Sequence, residues 1–523
     1  MYNKSLFDTW VPGPLVLLLT ILIMAITLVA MPVYSSNIGL MVGSTGIYSE
    51  YFALATFSVL IGMAIIIPIF FRIKLRFRAK EIMVTSLIIM ALMSVVTATT
   101  NSGVVVIVAS LIFGMAKVFG FMDCIFIIFF IISPKGDKGR FFSIFYPFAV
   151  FLPGPFGAFI ATNISYGANW QTMHWYTAGV LLLLALVCVT VMHNKRFDRK
   201  VPLYYIDWLG MLIYATTLIS MGYVFAFGKQ QDWFVSPRIT LASVLCAVSS
   251  IALIVRELKI KRPLLLLKMY QSKKVRMGLL FLVGQGMFMA VSTILTIYTT
   301  AILGYNWVIN SSLGLMILPG MVVSAFVAFH WFKNKIPIKM YMFSGFGAYF
   351  LYVVVLYFIM VPGLSIGQLY LPQILAGYGM CTLYISIWLY ALDEIPGTEM
   401  FGSVSTIVMF RSFVTTGFFT ALYGWLHYKF QWQSIGDMAF YFDALTMSQN
   451  PGAGSLRDVQ MGAVLAANKK LLGYIIIAGM AFLALVFFYM FGRQKYMYAR
   501  YRMYQSEKRR MNDSASAVAG AIT

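Results

Sequence analysis

Three charged side chains, Lys117, Asp123 and Arg411, lie well inside long apolar stretches of the sequence. A charge inside a membrane helix is costly unless it is paired or hydrated, so each of the three is a candidate for a functional role. Asp123 is the only carboxylate deep in any stretch, about 13 Å from the end of its own stretch at 1.5 Å per residue. It is the predicted proton acceptor, and the alternative is a structural ion pair with Lys117 or Arg411.

A second group, Gly154, Pro155 and Gly157, could shape a helix rather than carry a charge. Small residues let neighbouring helices approach closely, and proline interrupts the backbone hydrogen bonds of a helix. The group therefore predicts a helix that bends at an interface. The alternative is an ordinary proline kink with small packing residues, both of which are frequent in membrane helices.

Several enzyme classes are excluded by what the sequence lacks. It has no Walker A glycine loop for ATP, and no Ser or Cys in a nucleophile motif with a nearby His. His174 and His427 are predicted at one side of the membrane and His193 and His330 at the other, about 30 Å apart, so no four-His metal site forms. The predictions are that the protein is not an enzyme and has no metal and no cofactor.

The elements that would hold these residues are fourteen apolar stretches, each near the roughly 20 residues that span a bilayer. A mean hydropathy of +0.84 and 11% charged residues also indicate a membrane protein. Of the 39 Lys and Arg residues, 31 lie at the two termini or in every second gap between stretches. This alternation places both termini in the cytoplasm. The predicted spans are 15–34, 51–71, 82–100, 104–132, 141–164, 173–192, 205–228, 238–256, 276–302, 311–331, 338–361, 366–392, 402–428 and 471–492.

The net charge of +22 indicates contact with anionic lipid headgroups rather than with nucleic acid. The basic residues form short clusters at span ends, and no nucleic-acid-binding motif is present. Two basic regions, 193–200 and 256–276, divide the chain into six, two and six spans. Predicted domains are an N-terminal bundle at 1–200, two extra helices at 201–262, a C-terminal bundle at 263–500 and a disordered cytoplasmic tail at 501–523.

An internal repeat supports this layout. The second and third spans of each six-span half are joined by a basic loop, RIKLRFRAKE in one half and FKNKIPIKMY in the other. Paired halves are typical of secondary transporters, with the substrate path between them. The largest predicted outer loop, 429–470, contains the segment LRDVQMGAVLAANKK, which reads as helical; a structured cap and a flexible loop are the alternatives for the loop as a whole.

Several segments resemble the fourteen-span drug/proton antiporter family of the major facilitator superfamily. YYIDWLGM is similar to the family's opening of the first extra span, and PGPFGAFIATNISYGANW resembles its antiporter signature, with Gly154, Pro155 and Gly157 at the matching positions. RPLLLLKMYQSKKVRMG resembles the linker into the ninth span, and IYTTAILGYNWVINSSLGLMILPG resembles the tenth-span region. EIPGTEMFGSVSTIVMFRSF resembles the thirteenth-span region, including its intramembrane arginine, here Arg411.

The chain departs from this family where the family usually couples transport to protons. AITLVAMPVYSS keeps Ala30, Met31 and Pro32 but lacks the first-span acid, and PIFFRIKLRFRAKE lacks the usual Gly and Asp of the loop after span two. The fourth-span Arg and Gln are replaced by Ser110 and Phe113. Lys117 lies two turns beyond Ser110 on nearly the same face, so it either replaces that arginine or balances Asp123.

The resemblance implies a multi-pass protein of the cytoplasmic (inner) membrane that exports small amphipathic or toxic compounds by alternating access and proton antiport. The alternative, favoured by the missing residues, is an exporter of a specific endogenous product such as a lipid, pigment or siderophore, without the usual coupling. In relatives with a two-membrane envelope the resemblance also implies a periplasmic adaptor and an outer-membrane channel as partners.

Overall fold

The computed structural model describes residues 6–133, 138–195, 206–260, 263–265, 267–334, 336–393, 400–439 and 456–489, with positions 202, 204 and 506. Within these residues the fold is all-helical, apart from an isolated β-bridge between Phe7 and Met192. Thirteen of the described helices are long and apolar enough to cross a bilayer, and Gly13–Val29 is a shorter apolar helix. The predicted all-α membrane architecture is therefore confirmed, with thirteen candidate spans among the described residues and a shorter apolar helix at the position of the first predicted span.

The helices are numbered in chain order, each corresponding to one predicted span. They are α1 Gly13–Val29, α2 Ser49–Arg76, α3 Ala79–Thr99, α4 Gly103–Ile132, α5 Lys138–Gly167, α6 Trp170–Val191, α7 Trp208–Phe227, α8 Pro237–Lys259, α9 Lys273–Ile302, α10 Trp307–Lys333, α11 Ile338–Ile359, α12 Ile366–Ala391, α13 Ser403–Met438 and α14 Leu456–Phe488.

The ends of α1 and α2 differ from the predicted spans. The first span was predicted to continue to residue 34, but α1 ends at Val29, and residues 30–34, here termed the α1 break, are not helical. Pro32 cannot supply a backbone N–H to continue the helix, which accounts for the early end. Conversely, α2 extends to Arg76, which takes it into a segment predicted to be a basic loop.

The predicted outer loop at 429–470 is helical at both ends. Helix α13 continues to Met438, and α14 begins at Leu456, so the segment predicted to be helical is confirmed as helix. The middle of the loop at 440–455 lies outside the described residues. So do the domain boundaries predicted at 200 and 262, and the predicted tail except for position 506.

The same helix contacts recur in the two groups of six helices. Helix α2 packs on α4 as α10 packs on α12, α3 packs on α6 as α11 packs on α14, and α1 packs on α4 as α9 packs on α12. The groups meet where α5 contacts α10 and where α2 contacts α13. The extra helices α7 and α8 pack on each other, and α7 also contacts α2 and α13.

Paired glycines allow the closest of these contacts, and they too occur twice. A Cβ atom on Gly114 of α4 would lie 2.8 Å from the carbonyl carbon of Val59 on α2, and Gly62 faces α4 in the same way. Gly320 of α10 and Gly377 of α12 form the matching pair, since a Cβ on Gly320 would lie 2.7 Å from the backbone nitrogen of Tyr378. Small residues are what permit such backbone approach between membrane helices.

Candidate functional site: a central cavity and its buried charges

A cavity of about 410 Å³ lies where helices of the two groups face each other. The first group contributes α5 and the α1 break, and the second contributes α9, α10, α11, α12 and α13. The lining residues are Met31, Ala149, Val150, Pro153, Gly154, Pro155, Phe288, Met289, Ser292, Ile317, Tyr349, Tyr352, Gln373, Ala376, Met380, Tyr384 and Arg411. The wall is therefore aromatic, aliphatic and Met-rich, with few polar groups.

Four of the helices around the cavity are irregular. Helix α1 ends at the α1 break, and π-helical turns occur at Leu152–Phe156 in α5, Tyr298–Ile302 in α9 and Phe410–Thr415 in α13. In α5 the cause is in the sequence, because Pro153 and Pro155 remove two backbone donors within one turn. Single π-turns inside α-helices are frequent at functional sites.

The predicted motif of Gly154, Pro155 and Gly157 is divided between two surroundings. Gly154 and Pro155 line the cavity. Gly157 instead faces the α1 break, where a Cβ atom would lie 3.4 Å from the Tyr34 ring and 3.6 Å from the carbonyl oxygen of Val29. The motif thus joins the cavity wall to the point where the first span is interrupted.

The α1 break leaves helix carbonyl groups without their usual partners, and two side chains supply donors. The Lys117 ammonium group donates to the carbonyl oxygens of Leu28 and Ala30, both at 2.9 Å. The Tyr34 hydroxyl donates to the carbonyl oxygen of Val29 at 2.6 Å and accepts from the backbone N–H of Met31. A cation at a helix C-terminus is also favoured by the helix dipole.

Lys117 is therefore not the partner of Asp123. It is 2% exposed, and its third contact is with the Met31 sulfur atom at 3.3 Å. Tyr34 was not singled out from the sequence. The only signal for it was the interruption at Ala30–Pro32, since a helix that ends there leaves carbonyl groups in need of hydrogen-bond donors.

Asp123 forms an ion pair with Lys74, and both side chains are buried. The alternative considered from the sequence, an ion pair of Asp123 with Lys117 or Arg411, is therefore wrong in its partner. Lys74 was assigned from the sequence to a basic loop, but it lies on the last turns of α2, which continues to Arg76. Its ammonium group also lies within 6 Å of the ring centroids of Phe70 and Phe126, at 5.8 and 5.9 Å.

Arg411 lies in the π-helical turn of α13 and lines the cavity. Its guanidinium carbon is 4.0 Å from the ring centroid of Tyr384 and 6.0 Å from that of Tyr146. Its buried Nε and Nη1 atoms have no hydrogen-bond partner among the described residues. No described carboxylate pairs with Arg411. The four salt bridges found among the described residues all involve other side chains.

Two multidrug proteins of Escherichia coli (strain K12) are distantly similar in sequence. The probable multidrug resistance protein EmrY is 21% identical over 262 residues, which is 49% of this chain and 49% of EmrY. The multidrug export protein EmrB is 22% identical over 247 residues, which is 46% of each protein. The chain spans about half the length of the curated relatives it matches.

Solved transporter structures share the fold over nearly the whole chain. The nucleoside transporter NupG is 12% identical, with 91% of this chain and 99% of that chain covered and a TM-score of 0.50. The tetrameric PepTSo2 structure is 11% identical, with 90% and 96% covered and a TM-score of 0.53. At these identities the likeness concerns the fold alone.

The sequence profile of the Major Facilitator Superfamily matches residues 15–420, which is most of the chain. That match agrees with the helical architecture and with a cavity between two groups of six helices. The predictions of a membrane transporter fold and of a protein that is not an enzyme are confirmed. The chain belongs to the Major Facilitator Superfamily and is a multi-pass integral membrane protein.

Proposed function

We propose that this transporter exports small amphipathic or toxic compounds across the cytoplasmic (inner) membrane by alternating access, in exchange for protons. The observation that carries the proposal is the central cavity, whose aromatic and Met-rich wall suits varied apolar compounds. The moving units are the two six-helix bundles at 1–200 and 263–500. The α1 break and the π-turns of α5, α9 and α13 are the positions where the helices change angle.

For coupling we propose Asp123 as the proton carrier, with Lys74 as its partner. Protonation of Asp123 would remove its attraction to Lys74, which holds α2 to α4 at this point. The loss of this ion pair on protonation would favour one conformation of the transporter over the other. Lys117 and Arg411 are the other coupling candidates. Their role is electrostatic: Arg411 lines the cavity, Lys117 contacts the cavity residue Met31, and no described carboxylate pairs with either basic group.

The test is a transport assay in everted membrane vesicles with a pH-sensitive dye. After the vesicles have been acidified by respiration, an exported compound should release protons and reverse the quenching of the dye. The panel should contain anionic, neutral and cationic amphipaths. Vesicles that carry the Asp123→Asn variant at equal expression serve as the control, and reversal at the full rate in that variant would eliminate Asp123 as the carrier.

A second candidate function is the export of one endogenous product, such as a lipid, pigment or siderophore, without proton coupling. It is favoured by the position of Asp123, which is paired with Lys74 and is absent from the cavity wall. Efflux that continues in energised vesicles after a protonophore collapses the gradient would support this candidate. Compound-dependent proton release would exclude it.

A partner protein is also part of the proposal. The resemblance to fourteen-span exporters suggests a periplasmic adaptor and an outer-membrane channel, with docking near Trp432 and Tyr441. Trp432 is 59% exposed near the end of α13, and Tyr441 lies outside the described residues. Deleting residues 448–456 should leave membrane insertion intact and abolish co-purification of an adaptor. Unchanged co-purification would refute docking at this loop.

A further inference from the structure

We infer that the central cavity selects amphipathic compounds that carry an acidic group, and that Arg411 binds that group. This inference rests on the proposed function, because it takes the cavity as the substrate site. It goes further by naming the chemical class of the substrate. A lipophilic cation would then be the class that the cavity rejects.

The first argument is the charge of the wall. Among the described residues, seventeen line the cavity; Arg411 is the only charged one, and none of the seventeen is a carboxylate. A cation placed there would meet a like charge with no counter-ion, whereas an anion would neutralise it. In a water-poor site that difference is much larger than in bulk solvent.

The second argument is that Arg411 is poised to bind. Its Nε and Nη1 atoms are buried and lack a hydrogen-bond partner among the described residues, and a buried donor left unsatisfied is costly. The Tyr384 ring lies 4.0 Å from the guanidinium carbon and limits its orientation. A guanidinium group presents its N–H donors as a planar fork that matches the two oxygens of a carboxylate.

The third argument is the charge behind the wall. Met31 lines the cavity, and its sulfur atom lies 3.3 Å from the ammonium group of Lys117. Lys117 is held by carbonyl oxygens rather than by a carboxylate. Asp123, a buried acid on the same helix as Lys117, is paired with Lys74. No described carboxylate therefore pairs with Arg411 at the wall or with Lys117 behind it, and this arrangement favours an anionic substrate over a cationic one.

The rest of the wall determines the other half of the substrate. Phe288, Tyr349 and Tyr352 form an aromatic side, and Met289 and Met380 add pliable thioether side chains. A volume of about 410 Å³ lies within the usual range for small-molecule sites. The expected substrate therefore has an apolar, planar portion that contacts these rings and an acidic group at one end.

The test uses three compounds of nearly equal shape: naphthalene-2-carboxylate, naphthalene-2-carboxamide and naphthalen-2-ylmethanamine. Binding to the full-length protein in phosphatidylcholine nanodiscs is measured by calorimetry at neutral pH, with empty nanodiscs subtracted. The carboxylate should bind at least about tenfold more tightly than the amide, since a charge-assisted contact replaces a neutral one. The amine should bind more weakly than the amide. Equal binding of carboxylate and amide, or tighter binding of the amine, would overturn the inference.

Variants assign the preference to Arg411. Arg411→Gln should remove the difference between carboxylate and amide while leaving the affinity for the amide within about threefold, and Arg411→Lys should retain part of the difference. Arg238→Gln, which removes an exposed arginine at the start of α8, is the matched control and should behave as the wild type. If Arg411→Gln does not fold, the three-compound comparison on the wild type and on Arg411→Lys decides the question. A preference for the carboxylate that survives in Arg411→Gln would also overturn the assignment.

A lipid headgroup is the other source of an anion, and the nanodisc composition separates the two sources. Adding phosphatidylglycerol should weaken carboxylate binding by less than about threefold if the site takes a soluble acid. Weakening by tenfold or more would overturn that assignment, because it would mean that the headgroup occupies the site. A carboxylate preference without any transport in vesicles would support this inference while contradicting the proposed export function, so the two can fail separately.

Discussion

Lys74 and Asp123 form an ion pair that is buried between α2 and α4, with the two side chains 8% and 3% exposed. On α4, Asp123 lies between Gly120, which faces Thr27 of α1, and the fully buried Cys124, so the pair lies at a densely packed level of the first helix group. A buried ion pair is weak evidence for stability, but removing one partner leaves an uncompensated buried charge. These properties fit two roles. Asp123 is suited to change its charge during transport, and the ion pair is equally suited to a purely structural role.

The first prediction separates these roles of Asp123. Asp123→Asn should lower the free energy of unfolding by about 3–5 kcal/mol, because the buried ion pair with Lys74 is lost. Adding Lys74→Met should restore most of that loss. Thermal unfolding of purified variants in one detergent gives the comparison, and proton-coupled transport of the double variant tells whether the pair is needed for coupling.

The control for this prediction is Asp393→Asn. Asp393 also pairs with a lysine, Lys274, at 2.5 Å, but its side chain is 65% exposed. Exposed pairs contribute at most about 1 kcal/mol, so this change should be nearly silent. If Asp123→Asn were no more destabilising than Asp393→Asn, the buried pair would not be a structural contact.

The second prediction concerns the α1 break. Lys117→Met should lower the free energy of unfolding by about 1–3 kcal/mol, because the carbonyl groups of Leu28 and Ala30 lose their donor. Tyr34→Phe should cost about 1 kcal/mol through the Val29 carbonyl. Hydrogen exchange of residues 26–34 should accelerate in both variants, whereas Tyr48→Phe, at a residue 65% exposed, should change neither measurement. Unchanged exchange in Lys117→Met would contradict the capping role.

The sequence allowed the fourteen helices to be predicted because length, hydropathy and the alternation of basic residues are local properties. The α1 break was missed because residues 15–34 form one apolar run, and a single proline in such a run is compatible with a kinked helix. Arg411 could be recognised as a buried charge, but sequence periodicity does not tell a cavity wall from a helix contact.

The partner of Asp123 was missed for a different reason. Lys74 lies among four other basic residues, Arg72, Arg76, Arg78 and Lys80, so it reads as part of a solvated loop. The helix continues through Lys74 because nothing in this segment stops it before Phe77, where the backbone becomes extended. Which of five neighbouring cations turns inward depends on the packing of α2 against α4, and that is not a local property.

A third prediction tests the repeated glycine contacts. Gly114→Ala and Gly377→Ala should each be clearly destabilising, because the added methyl group would lie within 3 Å of backbone atoms of the facing helix. Gly179→Ala is the control: no atom lies within 4 Å of its added Cβ, and helix propensity alone makes it neutral or stabilising by up to about 1 kcal/mol. Melting temperatures in detergent provide the measurement. If Gly114→Ala left the melting temperature unchanged, α2 and α4 would be able to move apart without a loss of stability.

The last prediction is a dependence of stability on pH at the start of α7. Asp207 lies outside the span Trp208–Phe227, accepts a hydrogen bond from the backbone N–H of Gly210 at 2.9 Å, and pairs with Arg256 at 2.6 Å. Burial raises the pKa of the Asp207 carboxyl group, but the hydrogen bonds from Arg256 and Gly210 outweigh it, so the pKa in the folded protein is below its usual value. The ionised group therefore stabilises the fold at every pH above the unfolded pKa of about 3.9, and this contribution is lost as the pH falls through the lower folded pKa.

The difference in melting temperature between wild type and Asp207→Asn should be constant between about pH 5 and 8 and should shrink below about pH 4. Asp437→Asn, at an exposed position in α13, should match the wild type throughout, and an Asp207→Asn difference that stayed undiminished in acid would show that the carboxylate charge does not stabilise this end of α7.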